Sequence, residues 1–260
     1  MNVMQADHIS IVFGGLKAVD DVTIYAKKGE LLGLIGPNGA GKTTIFNMLT
    51  GVYAPSKGNI AYFNGSGAEI NIKGMQPYKV SRIGVSRTFQ NIRLFKNLSV
   101  LDNMLISMHK DVGYSVFGAI IKSGRYLNIE KGFYDKAIKI LQAVKLDGKK
   151  DEYAKNLPYG EQRKLEIARA IATGAEIVFL DEPAAGMNPS ETEELADLIQ
   201  ILKNEYNLTI VLIEHDMKFV MKICQRIYVL DFGILIAEGV PKEIKSNPNV
   251  IKAYLGEEIE

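Results

Sequence analysis

One glycine-rich stretch combines residue types and a spacing that suit phosphate binding. The glycines allow backbone angles that turn successive N–H groups toward one point. A lysine and a hydroxyl placed after them can reach nucleotide phosphates and a Mg²⁺ ion, so we expect Lys42 at the β- and γ-phosphates and Thr43 at the metal. The stretch matches G-x-x-x-x-G-K-[ST] at every fixed position and consists of Gly36, Pro37, Asn38, Gly39, Ala40, Gly41, Lys42 and Thr43, followed by Thr44.

A pair of acids follows a short apolar run farther along the chain. Residues 177–180 are apolar, and Asp181 and Glu182 come directly after them. Acids at the carboxyl end of a parallel strand lie where ligands bind in open α/β sheets. Alone the pair would indicate a solvated strand end. Beside a phosphate-binding loop it predicts that Asp181 holds Mg²⁺, directly or through water, and that Glu182 polarises an attacking water.

The glycine-rich loop and the two acids need parallel strands and helices to position them. Residues 31–35 form an apolar run directly before the glycine-rich loop, and residues 44–50 after it have helical spacing that ends at Gly51. The runs at 177–180 and 209–213 also suit strands buried on both faces. Apolar strands that alternate with helices predict an α/β fold with a mostly parallel sheet.

Other stretches predict the surrounding elements. Alternating apolar residues predict strands at 9–13 and 22–26 that form a separate antiparallel layer, and residues 59–63 and 70–72 predict a short hairpin around Asn64-Gly65. Further predicted elements are a strand at 83–89, a mainly helical insert at 99–146 with a break from Asp111 to Asn128, a helix at 160–173, a helix with Ser190 as N-cap that ends near Tyr206, a hairpin at 226–230 and 234–238, and two C-terminal helices opened by Pro241 and Pro248.

Composition narrows the classes of protein. The chain has 260 residues, 47% of them hydrophobic and 23% charged, which is ordinary for a globular protein. A formal net charge of +1 gives no support to broad electrostatic binding of nucleic acid. The one cysteine, Cys224, excludes an internal disulfide. The sequence shows neither a signal peptide nor an apolar run long enough to span a membrane.

The two motifs and the segment between them resemble the nucleotide-binding domain of ABC transporters, and the resemblance covers essentially the whole chain. It implies a P-loop NTPase fold with a mostly parallel core sheet, an antiparallel β layer and a helical subdomain. The core and β layer are expected in 1–90 and 174–240. The helical subdomain is expected in 91–173, and the C-terminal helices in 241–260.

The resemblance assigns roles to three more residues. Thr88-Phe89-Gln90 resembles the Q-loop, which implies that Gln90 contacts Mg²⁺ and the catalytic water and that the next segment senses a membrane subunit. His215 matches the switch histidine, and Phe13 matches the aromatic residue that stacks on adenine, although an ordinary strand residue would also fit there. The expected catalytic residues are thus Glu182, His215, Gln90 and Lys42.

Two further motifs imply contact with the ATP of a partner subunit. The stretch at the place of the family signature, usually Leu-Ser-Gly-Gly-Gln, is Leu157, Pro158, Tyr159, Gly160, Glu161 and Gln162. Pro158 offers neither a hydroxyl nor an N–H, so the contact is expected through the N-terminus of the following helix. The stretch that matches the D-loop is Ala185, Gly186, Met187 and Asn188, and Asn188 lacks the charge of the usual Asp, which predicts weaker coupling of the dimer.

Three stretches, 13–19, 159–169 and 247–256, resemble the LivG-type subunits of branched-chain amino acid importers, and the insert around Asp111 to Asn128 also fits that type. The resemblance implies an ATPase at the cytoplasmic face of a membrane. Its expected partners are permease subunits, a second ABC ATPase in a homodimer or heterodimer and, indirectly, a substrate-binding protein. Urea and amide importers and lipopolysaccharide exporters carry related tails and remain alternatives.

Two other classes fit less well. Soluble ABC proteins that act on ribosomes or DNA usually carry two cassettes or a long coiled coil, whereas this chain has one cassette and no sustained heptads. A small-molecule P-loop kinase would not explain Gln90, the signature region and His215 together.

Overall fold

A computed structural model describes residues 1–109 and 124–255. They belong to two compact units, Met1–Gln90 with Glu176–Glu260, and Asn91–Ala175. The strands are β1 (Asn2–Phe13), β2 (Leu16–Lys27), β3 (Leu31–Ile35), β4 (Lys57–Phe63), β5 (Glu69–Asn71), β6 (Val85–Arg87), β7 (Ile177–Asp181), β8 (Thr209–Ile213), β9 (Arg226–Asp231) and β10 (Ile234–Gly239). The α-helices are α1 (Lys42–Leu49), α2 (Pro77–Arg82), α3 (Val100–Met108), α4 (Gly124–Ala143), α5 (Tyr159–Ala172), α6 (Pro189–Glu205), α7 (Met217–Ile223), α8 (Pro241–Ser246) and α9 (Pro248–Leu255).

The first unit contains a six-stranded core sheet of order β10-β9-β3-β8-β7-β6. The strands from β9 to β6 in this order are parallel to their neighbours, and β10 pairs antiparallel with β9. Every residue of β3, β7 and β8 is buried, which explains their continuous apolar runs. The prediction of a mostly parallel sheet is confirmed.

The predicted antiparallel layer is confirmed as a separate sheet of order β2-β1-β4-β5, and the predicted hairpin supplies its strands β4 and β5. Strands β1 and β2 are each 12 residues long, well beyond the predicted 9–13 and 22–26. Register shifts interrupt their pairing, and His8 and Asp21 adopt positive φ angles of 50° and 55°. These irregularities break the two-residue alternation that would have shown the full strand length in the sequence.

One buried apolar cluster includes the inward-facing residues of both sheets and of α1. Within it the rings of Phe46 on α1 and Phe179 on β7 meet edge to face, with centroids 5.1 Å apart. This contact packs the helix that follows the glycine-rich loop against the strand that ends at Asp181.

In the second unit, α3, α4 and α5 pack on one another. Ser99 caps α3 by accepting the Asp102 N–H, and α4 buries Ala137, Ile140 and Leu141. The mainly helical prediction is confirmed for the described part of the insert. Its predicted break was wrong from Gly124 to Asn128, which begin α4, because a glycine at a helix end costs little. Residues 111–123 of that prediction lie outside the described residues.

Two other expectations need correction. Helix α6 begins at Pro189, and its N-cap is Asn188 rather than Ser190. The Asn188 Oδ1 accepts the Glu191 N–H at 3.0 Å, and a Glu191 carboxylate oxygen accepts the Asn188 N–H at 3.0 Å. This reciprocal capping box, with proline at the first helical position, outweighs the serine.

The predicted strand at 83–89 is shorter, because β6 covers Val85–Arg87 only. Helix α2, which the sequence analysis did not predict, ends immediately before Ile83, and Gly84 has a φ of 95°. Because Gly84 adopts a left-handed conformation, the chain leaves the helix there and β6 begins only at Val85. Across residues 1–109 and 124–255, no helix combines the length and the apolar character needed to cross a bilayer.

A buried ion pair joins the start of β9 to the turn between β2 and β3. The Arg226 guanidinium donates to both Glu30 carboxylate oxygens, at 2.8 and 2.9 Å, and also to Glu238 and the Tyr25 carbonyl. Burial by itself would raise the pKa of Glu30. The hydrogen bonds from Arg226 and from the Lys27 N–H, together with their charges, hold the Glu30 pKa below its ordinary value.

We expect Glu30→Gln to lower the free energy of unfolding at neutral pH by about 1.5–3 kcal/mol, because a hydrogen bond to a charged group is lost. The stabilisation by ionised Glu30 is present above the pKa of an unfolded glutamate and is lost as pH falls through its lower folded-state pKa. Urea unfolding from neutral pH to about pH 3, below the pKa of an unfolded glutamate, should therefore show a shallower loss of stability in Glu30→Gln than in the unmodified chain.

Glu238→Gln is the matched control, since Glu238 contacts the same Arg226 but its side chain is 37% exposed. It should change stability by less than about 1 kcal/mol. Equal stability of Glu30→Gln and the unmodified chain at neutral pH would contradict the role given to this pair.

Candidate functional site

The glycine-rich loop connects the carboxyl end of β3 to the first residue of α1. Two of its glycines are required by close contacts at positive φ. A Cβ atom at Gly36 would lie 2.1 Å from the Leu230 carbonyl oxygen, and one at Gly41 would lie 2.8 Å from the Ala18 carbonyl oxygen. Gly41 is the N-cap of α1, so the unpaired N–H groups and positive dipole end of the helix face the loop.

The Lys42 side chain folds back over this loop. Its Nζ donates to the carbonyl oxygens of Gly36 and Pro37, both at 2.7 Å, and the residue is only 8% exposed. Burial lowers the pKa of the ammonium group, and the charge of Glu182 acts in the opposite direction. The loop therefore holds a cation whose present acceptors are backbone carbonyls, which anionic phosphate oxygens can replace.

A cavity of about 310 Å³ lies over the loop. It is lined by residues 38–44, by Leu16, Lys17 and Ala18 after the β1–β2 turn, and by Glu182 and Phe232. The predicted adenine contact, Phe13, is not among the lining residues, and its ring packs edge-on against Tyr53 with centroids 5.3 Å apart. The structure brings the loop and Glu182 together at this cavity, and Phe13 pairs across the β1–β2 turn with Leu16, which lines it.

Phe232 was missed by sequence reasoning. Its side chain is 87% exposed at the tip of the β9–β10 hairpin, and its φ angle is 42°. The hairpin tip is held against the loop, because the Gly233 N–H donates to the Ala40 carbonyl oxygen at 3.1 Å. The signal was present in the sequence, since a bulky aromatic residue stands where turns usually carry Asn, Asp or Gly.

Asp181 ends β7, the strand beside β8 in the core sheet. Its carboxylate accepts a hydrogen bond from the Arg87 guanidinium at 2.7 Å, and the two side chains are 6% and 9% exposed. The acids predicted at this strand end therefore differ in environment, because Asp181 is buried and paired while Glu182 faces the cavity. Sequence reasoning did not identify Arg87.

Glu182 leaves the strand with a φ angle of 46°, which is unusual for a residue other than glycine. Its backbone N–H donates to the Ile213 carbonyl oxygen at 2.9 Å. One carboxylate oxygen accepts the Gln90 side-chain amide at 2.9 Å, and the other lies 3.9 Å from the His215 Nδ1. Gln90 and His215, predicted from separate stretches, thus converge on the Glu182 carboxylate.

Glu214 fixes the loop that carries His215. It is buried, and its carboxylate accepts the backbone N–H groups of Ala184 at 2.8 Å and His215 at 3.2 Å. Burial raises the pKa of Glu214, and these hydrogen bonds act in the opposite direction. Sequence reasoning missed this link, although an acid directly after a fully apolar strand repeats the pattern that identified Glu182.

The predicted D-loop forms a compact turn before α6. The Ala185 N–H donates to the Glu182 carbonyl oxygen and the Met187 N–H to the Ala184 carbonyl oxygen, both at 3.1 Å. Gly186 lies within the second of these turns at a φ of 78°, and the side-chain oxygen of Asn188 caps α6. The side-chain acceptor that Asn188 shares with the usual Asp is therefore already occupied by the N-terminus of α6.

The signature stretch lies in the second unit and begins α5. Pro158 is the N-cap and makes no side-chain capping bond, so Tyr159 and Gly160 start the helix with backbone N–H groups at its positive end. Gln162 donates to the Leu157 carbonyl oxygen at 2.8 Å, and Glu161 pairs with Lys149 at 2.7 Å. These contacts hold the first turn of the helix.

A buried ion pair that the sequence analysis did not identify supports the same turn. The Arg163 NH1 donates to a Glu166 carboxylate oxygen at 2.8 Å, and Arg163 NH2 donates to the Tyr159 hydroxyl at 3.1 Å. The Glu166 carboxylate also accepts the Arg93 N–H at 3.1 Å, within the same unit. Tyr159, which replaces a glycine of the usual signature, is thereby tied to the helix interior.

The oxygen donors in the first unit suit a Mg²⁺ ion. Thr43 supplies an exposed hydroxyl at the start of α1, Asp181 a carboxylate and Gln90 a side-chain amide oxygen. Hard oxygen ligands of this kind are those that Mg²⁺ takes in nucleotide sites, alongside water and phosphate.

Comparison with known proteins identifies the family. The ABC transporter family profile matches residues 19–185, more than half of the chain. A second profile, for the branched-chain amino acid ATP-binding cassette transporter, matches residues 235–260.

Two curated relatives extend over nearly the whole chain. The high-affinity branched-chain amino acid transport ATP-binding protein LivG of Salmonella typhimurium is 46% identical and covers 94% of both chains. LivG of Escherichia coli K12 is 44% identical and covers 98% of both.

A solved structure agrees over the same extent. The ADP conformation of MJ1267, an ATP-binding cassette of an ABC transporter, is 32% identical and superimposes with a TM-score of 0.84 over 99% of this chain and 100% of that one. The glycine-rich loop, the acids after β7 and these matches lead to one conclusion: the chain is an ATP-binding cassette protein of the ABC transporter family.

Proposed function

We propose that this chain is the ATP-hydrolysing subunit that energises import of branched-chain amino acids through membrane permeases. The observation that carries the ATPase part is the convergence of Gln90 and His215 on Glu182, at the edge of a cavity that the Lys42 loop lines. The amino acid class is supported by the LivG relatives and by the profile matched at residues 235–260.

The loop binds the nucleotide phosphates. Residues 38–44, which include the N-terminus of α1, line the cavity, and the Lys42 ammonium exchanges its bonds to the Gly36 and Pro37 carbonyl oxygens for bonds to phosphate oxygens. Phosphates thus satisfy a buried cation better than neutral carbonyls do. The contact of Phe13 with adenine stays a prediction.

Glu182 is the general base. Water attacks the γ-phosphorus, the bond to the ADP oxygen breaks, and the carboxylate accepts the proton of the water. Gln90 and His215 flank this carboxylate and position both it and the water. Thr43, Asp181 and Gln90 would hold a Mg²⁺ ion, which would supply positive charge to neutralise the phosphates.

The complete site requires a second cassette. The first turn of α5, formed by the signature stretch, presents backbone N–H groups to the ATP of the partner subunit, a sister ATPase or a second copy. Residues 185–188 couple the two sites. The segment after Gln90 contacts the permease, which holds the chain at the cytoplasmic face of the membrane as a peripheral subunit and links it indirectly to a substrate-binding protein.

Lys42→Ala should weaken MgATP binding by at least about 10–100-fold, because hydrogen bonds between a charged donor and phosphate oxygens are lost. Isothermal titration with MgATP measures this, and circular dichroism should show an intact fold. The matched control is Lys17→Ala, which removes a charge from the same cavity wall. Lys17 is suitable because its side chain is exposed and already paired with Asp20. It should change affinity by about fivefold or less. Unchanged affinity and turnover in a folded Lys42→Ala protein would contradict the phosphate role of this loop.

Glu182→Gln should retain MgATP binding, because the amide preserves the shape and the hydrogen bond with Gln90. Single-turnover hydrolysis should fall by roughly 10²–10⁴-fold, the usual contribution of a positioned base. Loss of a negative charge beside the triphosphate should also favour an ATP-bound dimer, which light scattering detects with and without nucleotide.

Glu193→Gln serves as the control for this substitution, since Glu193 is exposed on α6. It should hydrolyse ATP at the normal rate. Collapse of ATP affinity in Glu182→Gln, with unchanged turnover per bound ATP, would mean that Glu182 is a ligand or structural group.

The isolated chain should hydrolyse ATP slowly, and turnover per subunit should rise with protein concentration and with the permeases and sister ATPase, because each site needs the signature of a second cassette.

In proteoliposomes with those subunits and the binding protein, leucine, isoleucine or valine should stimulate turnover and enter the vesicles with ATP. Urea is the matched solute control. Stimulation by urea alone would contradict the proposed substrate class, and constant turnover at every concentration without a dimer would contradict the shared site.

A further inference from the structure

Arg87 is the last residue of β6, and its guanidinium bridges two elements of the site. NH2 donates to the Asp181 Oδ2 at 2.7 Å. NH1 donates to the Asn47 Oδ1 at 2.6 Å and reaches the Thr50 hydroxyl at 3.3 Å, both of them at the carboxyl-terminal end of α1. One side chain thus ties the strand that ends in Asp181 to the helix that begins at Lys42.

Two aromatic rings fix the position of this guanidinium. Its central carbon lies 5.7 Å from the centroid of the Phe46 ring and 5.3 Å from that of the Phe89 ring. Phe46 in turn packs edge-on against Phe179 of β7. A planar guanidinium held by rings and by hydrogen bonds at two nitrogens has little freedom to rotate.

Stability alone is a weak reason for this arrangement. Removing two charges from water is costly, and buried ion pairs are often no more stable than apolar replacements of similar volume. In addition, the buried Arg87 Nε–H has no hydrogen-bond acceptor among residues 1–109 and 124–255. A buried donor left unsatisfied in a native structure calls for an explanation other than stability.

The location of the Arg87–Asp181 pair supplies such an explanation. The three oxygen donors assigned to Mg²⁺ lie on Thr43, Asp181 and Gln90. Arg87 bonds to the helix that carries Thr43, bonds directly to Asp181, and precedes Gln90 by three residues. Because Arg87 occupies Oδ2 of Asp181, it fixes the direction of the other carboxylate oxygen, as residues around metal ligands commonly do.

We propose that Arg87 is a positioning residue that orients the Asp181 carboxylate for Mg²⁺ and sets the spacing between α1 and β7. This inference rests on the proposed role of Asp181 as a metal ligand. The role requires the forked arginine side chain, because a lysine ammonium cannot reach Asp181 and Asn47 in the same fixed plane. Arg87 does not touch the reacting atoms.

The test measures metal binding rather than turnover. Mn²⁺ replaces Mg²⁺ as the probe, with the slowly hydrolysed analogue ATPγS, and electron paramagnetic resonance counts bound Mn²⁺ in the ternary complex. Arg87→Met and Arg87→Lys should weaken Mn²⁺ binding by roughly 10–100-fold, the range for residues that support metal ligands. ATPγS binding without metal should stay near normal. Asn47→Ala removes the shorter of the two contacts with the end of α1 and leaves the bond to Asp181, so it should weaken Mn²⁺ binding less, in the same direction.

The chain offers a matched control for the loss of a buried arginine fork. Arg226 also pairs with a buried glutamate and lies against aromatic rings, those of Tyr25 and Tyr228, but none of its contacts is a residue assigned to the metal site. Arg226→Met should lower thermal stability and leave Mn²⁺ affinity within about twofold of the unmodified chain. If Arg87→Met does not fold, Arg87→Lys and Asn47→Ala decide the question.

Asp181→Asn separates failure of this inference from failure of the proposed site. If Asp181→Asn weakens Mn²⁺ binding while the Arg87 variants lose only stability, as Arg226→Met does, the positioning role is overturned and the metal assignment stands. If Asp181→Asn leaves Mn²⁺ affinity unchanged, the metal assignment of Asp181 is wrong and the inference falls with it.

Discussion

Strands β3, β8 and β7 are neighbours in the core sheet, run parallel and are buried along their whole length. A fully buried strand has no place for polar side chains except at its ends. Because parallel strands share one edge for their carboxyl ends, the polar residues that follow them must meet there. The glycine-rich loop, the pair Asp181 and Glu182, and the pair Glu214 and His215 all follow this rule. The candidate site is a consequence of burying the sheet.

Charge is distributed at that edge in two different ways. Lys42 and Glu182 line the cavity, where a nucleotide can exchange with their present contacts. Arg87 and Asp181 lie deeper as a buried pair, and Glu214 is buried against backbone N–H groups. Lys42 and Glu182, which are proposed to bind ATP and to react, thus lie at the cavity, whereas the buried groups keep fixed partners. The low dielectric around those buried groups strengthens their contacts.

Several departures from the usual family motifs are accommodated by local contacts. Pro158 supplies no capping bond, yet the first turn of α5 is held by Gln162, Glu161 and the hydroxyl of Tyr159. Asn188 lacks a charge but caps α6, which a short polar side chain does well. In both places the helix N-terminus persists, and its backbone N–H groups are the part of the motif that requires no particular side chain.

The sequence by itself determined the parts that depend on local pattern. Continuous apolar runs predicted β3, β7 and β8, and the spacing of glycines, Lys42 and Thr43 predicted the loop between a strand and a helix. Bulges hid the length of β1, and the capping box that starts α6 overrode Ser190. Only the tertiary structure placed Phe232 over the loop and joined Arg87 to Asp181, 94 positions away in the chain. No sequence period records such a pair, because strand order in a sheet is decided by packing of the whole core rather than by neighbouring residues.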